Sequence, residues 1–250
     1  MSKLKDKVAV ITGGNSGIGF ATAKQFIAEG AKVVITGRNQ QAIDEAVEKL
    51  GSDAIGIRSD ASNLTDTDKL VEQVKSTFGK VDILFVNAGG SFMQPVGQIT
   101  EEAFHKIVDV NFKGAIFTTE KFIPILSDGA SVIHVTSVSA FAVGIGTAVY
   151  AASKAALSAY SRTAAIELAP RKIRVNTLAP CMTETEIFHK GNFPEEMIEF
   201  TKNKMPFKRY AQPVEVAKLA VFLASDDASF ISGAEYVIDG AVTVNEPFRV

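Results

Sequence analysis

The chain has one cysteine, Cys181, among 250 residues, so an internal disulfide is excluded and stability must come from a packed core. A lone thiol is compatible with a reducing compartment. Charge is nearly balanced, with a formal net charge of -2 and a pI of about 6.0, and the basic residues are scattered instead of forming a stripe. Neither nucleic acid nor an acidic membrane surface is therefore an expected partner. No apolar run is long enough to span a bilayer, and the opening MSKLKDKVAV enters a strand-like run without the apolar stretch and small-residue cleavage site of a secretion signal. A cytoplasmic location is the resulting expectation. There is no internal repeat and no low-complexity segment, and no metal is expected. With 46% hydrophobic residues the chain can bury one large core, and residues 1–250 read as a single domain.

What the chain does contain is an alternation. Short apolar runs near 8–12, 32–36, 54–58, 82–86, 131–136, 173–178 and 235–238 predict strands. Helical patterns fill the gaps near 18–29, 40–49, 64–77, 101–126, 149–168, 186–203 and 213–224, with Thr65 and Thr100 as candidate helix starts. This order implies an α/β fold, a Rossmann-like doubly wound sheet of about seven parallel strands with helices on both faces. Such a sheet collects ligands at one carboxyl edge, where the strand order reverses.

Two segments carry chemistry. The run KVAVIT (7–12) feeds into Gly13-Gly14-Asn15-Ser16-Gly17-Ile18-Gly19 and then a helix. Glycines at 13, 17 and 19 let the backbone approach a pyrophosphate, whose charge meets the free N–H groups of the helix start. Further on, Tyr150 and Lys154 stand four residues apart in an Ala-rich helical stretch, with Ser137 upstream. One helical turn puts both side chains on one face, where an ammonium beside a phenol would favour the phenolate and suit Tyr150 to general acid or base work. At the end of the second strand, VVITGRN has Gly37 and Arg38 where an acidic residue would hold the ribose hydroxyls of NAD. The guanidinium can pair with phosphate, so NADP(H) is favoured and NAD(H) remains possible.

TGGNSGIG (12–19), NAGG (87–90), Asn111, Ser137, Tyr150 and Lys154 together resemble the short-chain dehydrogenase/reductase superfamily in its compact ketoreductase and alcohol dehydrogenase-like branch, over nearly the whole chain. The resemblance implies hydride transfer between the nicotinamide and a carbonyl carbon. Tyr150 is then the acid in reduction and the base in oxidation, while Ser137 holds the substrate oxygen. Lys154 lowers the tyrosine pKa and bonds the nicotinamide ribose, and Asn111 supports a water leading from Lys154 to solvent. The same likeness places Gly13, Asn15, Ser16, Gly17, Ile18 and Gly19 at the phosphates, Asp60 and Ala61 at the adenine, and Asn87, Ala88 and Gly89 beside the adenosine ribose. Pro180, Thr183 and Thr185 fall at the nicotinamide amide. Three positions depart from the family pattern: Cys181 and Ala241 replace usual glycines, and Ser16 is uncharged where many NADP-preferring relatives carry a base.

Substrate lining is expected from Ser91, Phe92, Met93, the segment Ser139 to Ile145, and a lid at about 186–205 carrying Ile187, Phe188, Phe193, Met197, Phe200 and Met205. An apolar underside there suits a neutral ketone or its secondary alcohol. The same aromatics equally fit the core face of a helix. Relatives form tetramers through the helix at 149–168 and the one before it, which makes a homotetramer the expectation, although the alanines equally suit packing on the sheet. Two other functions stay open: an NAD-dependent alcohol or sugar dehydrogenase working oxidatively, and a dinucleotide-binding sensor without turnover.

Overall fold

The computed structural model describes residues 2–185 and 194–245. Seven parallel strands form one sheet in the order β3-β2-β1-β4-β5-β6-β7. They are β1 (Val8–Thr12), β2 (Lys32–Gly37), β3 (Ala54–Arg58), β4 (Val81–Val86), β5 (Leu126–Val135), β6 (Arg174–Pro180) and β7 (Glu235–Ile238). The chain winds outward from β1 to β3, then crosses back to β4 and continues the other way. The reversal therefore lies between β1 and β4, whose carboxyl ends hold the glycine loop and the NAGG turn.

Alternate residues of each strand face opposite layers, and each layer has its own core. Ala9, Ile11, Val33, Ile35, Ile83, Phe85 and Ile133 pack under α1 (Gly17–Ala28), α2 (Gln40–Leu50) and the helix Pro213–Ala224. On the other face Val10, Val34, Leu84, Val132 and Val175 pack under α3 (Leu64–Phe78), α5 (Ala115–Phe122) and α6 (Ala148–Glu167). Strands buried on both sides need continuous apolar runs, as this sequence has.

The long helix expected at 101–126 is instead α4 (Glu101–Val108), a π-helical turn Asp109–Gly114, and α5. Thr100 caps α4 by accepting from Ala103 N at 3.2 Å. Gly114 allows the π turn to press on the loop after β3, because a Cβ there would overlap the Ala61 carbonyl. The start of α3 is corrected from Thr65 to Asn63, whose Oδ1 accepts from Thr65 N at 3.0 Å. Strand β5 begins earlier than expected; its register with β4 shifts between Val81 and Ile83, near Gly129 with its positive φ of 83°. Of the lid, α7 (Glu195–Lys204) is described, and the helix Pro213–Ala224 follows as α8. Ile187, Phe188 and Phe193 lie outside the described residues, as does the rest of 186–193. No described helix is long and apolar enough to cross a membrane.

Ala241 is held at φ 69°, in the left-handed region that suits glycine. Ala241→Gly is expected to stabilise the protein by about 0.5 to 1 kcal/mol, the steric relief exceeding the entropy cost of glycine. Urea unfolding of the two proteins checks this; an unchanged or lower midpoint would show that Ala241 is unstrained.

Candidate active site

The glycine loop is clamped to the end of β4. Thr12 Oγ1 accepts from Asn87 N and Ala88 N, each at 3.0 Å. Asn87 Nδ2 donates to the Thr12 and Gly13 carbonyls at 3.1 and 3.0 Å. Asn87 is thus a brace for the loop, and Ala88 passes so close that a Cβ on Gly13 would lie 3.1 Å from its Cα. A Cβ on Gly19 would overlap the Gly13 carbonyl oxygen. At the start of α1, Ser16 makes no capping bond and the first turn has no acid, so the amides of this turn are free for an anion. Asn15 lies against Gly37, Ile18 packs on the core, and Thr185 borders Gly17.

Around this cradle, Asp60 Oδ1 accepts from Ser62 N and Oγ at 2.9 and 2.7 Å, which fixes the turn holding Ala61. Arg38 is exposed at the exit of β2. Pro180 ends β6, and Cys181 N continues the ladder by donating to Ile238 O at 3.1 Å. Cys181 has no positive φ, so its backbone path does not need the usual glycine. Thr183 donates to Cys181 O at 3.0 Å and bridges to Ala211, closing the base of the lid segment.

Ser137, Tyr150 and Lys154 come together beside Gly89. Ser137 lies at the end of β5, where its Oγ accepts from Ser139 N at 3.2 Å, and Tyr150 and Lys154 rise from the first turns of α6. The expectation that Lys154 lowers the Tyr150 pKa is corrected. Burial raises the Tyr150 pKa, and the neighbouring Ser137 hydroxyl offsets only part of the rise. The Lys154 Nζ lies 5.9 Å from the Tyr150 ring centre and turns inward, donating to Val135 O at 2.8 Å. Burial also brings Lys154 itself down to about 8, which leaves it mostly protonated at neutral pH. Among the described residues its other N–H donors have no acceptor.

Asn111 sits in the π turn, 1% exposed. Its Oδ1 accepts from Gly90 N at 2.8 Å, while Nδ2 donates to Gly90 O at 2.9 Å and Ser153 Oγ at 3.3 Å. It ties the NAGG turn to α6 and makes no bond to its own helix. A Cβ on Gly89 would lie 3.0 Å from Asn111 Oδ1 and 3.5 Å from Lys154 Nζ, so the backbone threads between the two. Behind Lys154, His134 is fully buried between Thr119 (2.8 Å) and Ser161 (2.7 Å). Burial, then the Lys154 charge, hold it down to about 3, so it is a neutral link between α5, β5 and α6.

The mouth is apolar. Phe92 and Met93 are 41% and 61% exposed, and Phe141 and Ile145 across from them 50% and 95%. Gln94 N donates to Gly146 O at 2.9 Å and joins the two loops, above a small hollow lined by Phe92, Gln94, Ala103, Ile107, Gly146 and Val149. Ser91 is exposed and Ser139 half-buried on these loops. Met205 differs from its expected place at a substrate face: it is 4% exposed and packs with Tyr210 and Val242, because the turn after α7 folds back onto the end of the sheet. Thr12 is the site-shaping residue that sequence reasoning passed over; its place as the last strand residue before the glycines was the available signal. Among the described residues no cluster of His, Cys, Asp and Glu could hold a metal ion.

Comparisons with known proteins agree with this architecture. A family model described as enoyl-(acyl carrier protein) reductase matches residues 13–243. Oxidoreductase asL5 of Sarocladium schorii is 40% identical over 244 residues, covering 97% of this chain and 98% of that protein. The NADP-dependent (R)-specific alcohol dehydrogenase of Lentilactobacillus kefiri is 36% identical over 248 residues, covering 96% and 98%. The crystal structure of a short-chain dehydrogenase/reductase, glucose/ribitol dehydrogenase, from Brucella melitensis superposes with a TM-score of 0.87 at 29% identity, over 96% of this chain and 97% of that one. With near-complete coverage in both directions, the chain belongs to the short-chain dehydrogenase/reductase superfamily of oxidoreductases.

Proposed function

We propose that this protein reduces neutral ketones to secondary alcohols, reversibly, with NADP(H) as the favoured cofactor. The observation that carries the reading is the meeting of Ser137, Tyr150 and Lys154 at the carboxyl edge, beside a backbone cradle with free amide donors. That cradle fits a dinucleotide: its glycines leave no room for a Cβ, and the inward Lys154 has donors to spare for a ribose. When bound, the nicotinamide supplies the hydride. Tyr150 and Ser137 both hold the substrate oxygen, and Tyr150 gives it the proton. Burial raises the Tyr150 phenol, whose neutral form donates in reduction and whose deprotonated form accepts in oxidation. Lys154 binds the nicotinamide ribose, and Asn111 holds the NAGG turn in register with α6. In this reading the segment at about 186–205 is the substrate lid, and a homotetramer is the proposed assembly.

Two neighbouring hydroxyls suit a carbonyl oxygen as the proton acceptor. The NADP-dependent relative's name supports both the cofactor and the alcohol product. Initial rates with NADPH and NADH on a panel of neutral ketones test the proposal. Turnover with NADPH above NADH is expected. A higher rate with a charged β-keto thioester than with any neutral ketone would overturn the substrate class, preference for NADH would overturn the cofactor reading, and binding without turnover would favour a sensor.

A further inference from the structure

The β2–β3 ladder places a second arginine where none was expected. Gly37 and Arg58 are register partners, and Ser59 N donates to Gly37 O at 2.9 Å. Arg58 Nε donates to the Arg38 carbonyl at 3.1 Å, which folds its guanidinium across the carboxyl end of β2. The glycine loop borders the same spot, since Gly14 N donates to Thr36 O at 3.0 Å and a Cβ on Gly37 would lie 2.6 Å from Asn15 Oδ1. Helix α2 starts directly after Arg38, capped by Asn39 and with no acid in its first turn. The Arg58 guanidinium thus lies against the Arg38 backbone, one residue before the helix cap, and among the described residues neither Arg38 nor Arg58 pairs with a carboxylate. Like charges held together favour a bound anion, and a phosphate monoester brings about two negative charges.

We infer that Arg58 is a second cation of the site that reads a 2′-phosphate on the adenosine ribose, supplying from β3 the charge that Ser16 does not provide in the glycine loop. The inference rests on the NADP(H) reading. The Arg58 Nε is spent on the Arg38 carbonyl, which leaves its two terminal amino groups as the donors for the phosphate.

Calorimetric titration with adenosine 2′,5′-bisphosphate and with 5′-AMP, at low salt, separates the possibilities. The unaltered protein should bind the bisphosphate more tightly. Arg58→Gln should weaken bisphosphate binding about five- to tenfold, leave 5′-AMP within about twofold, and keep the melting temperature. Equal weakening of both ligands, or no change while Arg38→Gln loses the bisphosphate selectively, would overturn the role of Arg58. An unaltered protein with no preference for the bisphosphate would instead overturn the NADP(H) reading beneath it.

Discussion

Tyr150→Phe is expected to lower kcat for ketone reduction about a thousandfold, within the range that removal of a positioned proton donor costs. Affinity for reduced cofactor should stay within about twofold. The ring of Phe keeps the packing at the start of α6, so the loss falls on proton transfer and on one of two bonds to the substrate oxygen. Single-turnover rates together with cofactor fluorescence read the two quantities apart. A kcat within tenfold of the unaltered enzyme would remove Tyr150 from the chemistry. A pH dependence belongs to the same residue. Because burial raises the phenol, reduction should hold its rate through neutral pH and fall only as pH rises past the tyrosine pKa, a limb that the variant lacks.

Lys154→Met should remove most of the activity and yet stabilise the fold. Burial holds Lys154 at about 8 against an ordinary value of 10.5, so charging it in the folded state costs about 3 kcal/mol. Because the folded pKa lies below the unfolded one, the penalty is complete below about pH 8, shrinks as pH rises, and is gone above about 10.5. Losing the bond to the Val135 carbonyl offsets part of the gain. A net rise of about 1 to 2 kcal/mol, or about 3 to 6 °C in Tm, is expected at pH 6.5, with the advantage fading by pH 10. Thermal melts at both pH values check it, and a variant less stable at pH 6.5 would mean that Lys154 holds the fold together. Cofactor affinity should fall about tenfold, since the donors facing the ribose go with the ammonium.

Much of the fold was legible because it rests on local patterns. The apolar runs of β1, β2 and β4 could be nothing but strands buried on both faces, and the glycine loop between β1 and α1 announced a phosphate cradle without reference to any other segment. The spacing of Tyr150 and Lys154 likewise placed them on one helical face. The breaks came where a distant backbone intervened. The helix expected at 101–126 contains a π turn whose Gly114 lets the Ala61 carbonyl approach closely, and that turn carries Asn111 to Gly90 and Ser153. Met205 left its expected face because Tyr210 and Val242, both beyond the lid, fold over it.

The sequence by itself therefore determined the alternation of strands and helices, the glycine cradle, and which hydroxyl and amino groups share one helical face and strand end. Only the tertiary structure decided their electrical state and their partners. A pKa depends on how much water the whole fold removes, and that burial raises Tyr150 and lowers Lys154 where spacing alone predicted a charged pair. Strand pairing likewise set Arg58 beside Arg38, twenty residues away along the chain. Hydrogen-bond ladders join distant segments, and no local pattern in either segment records the match.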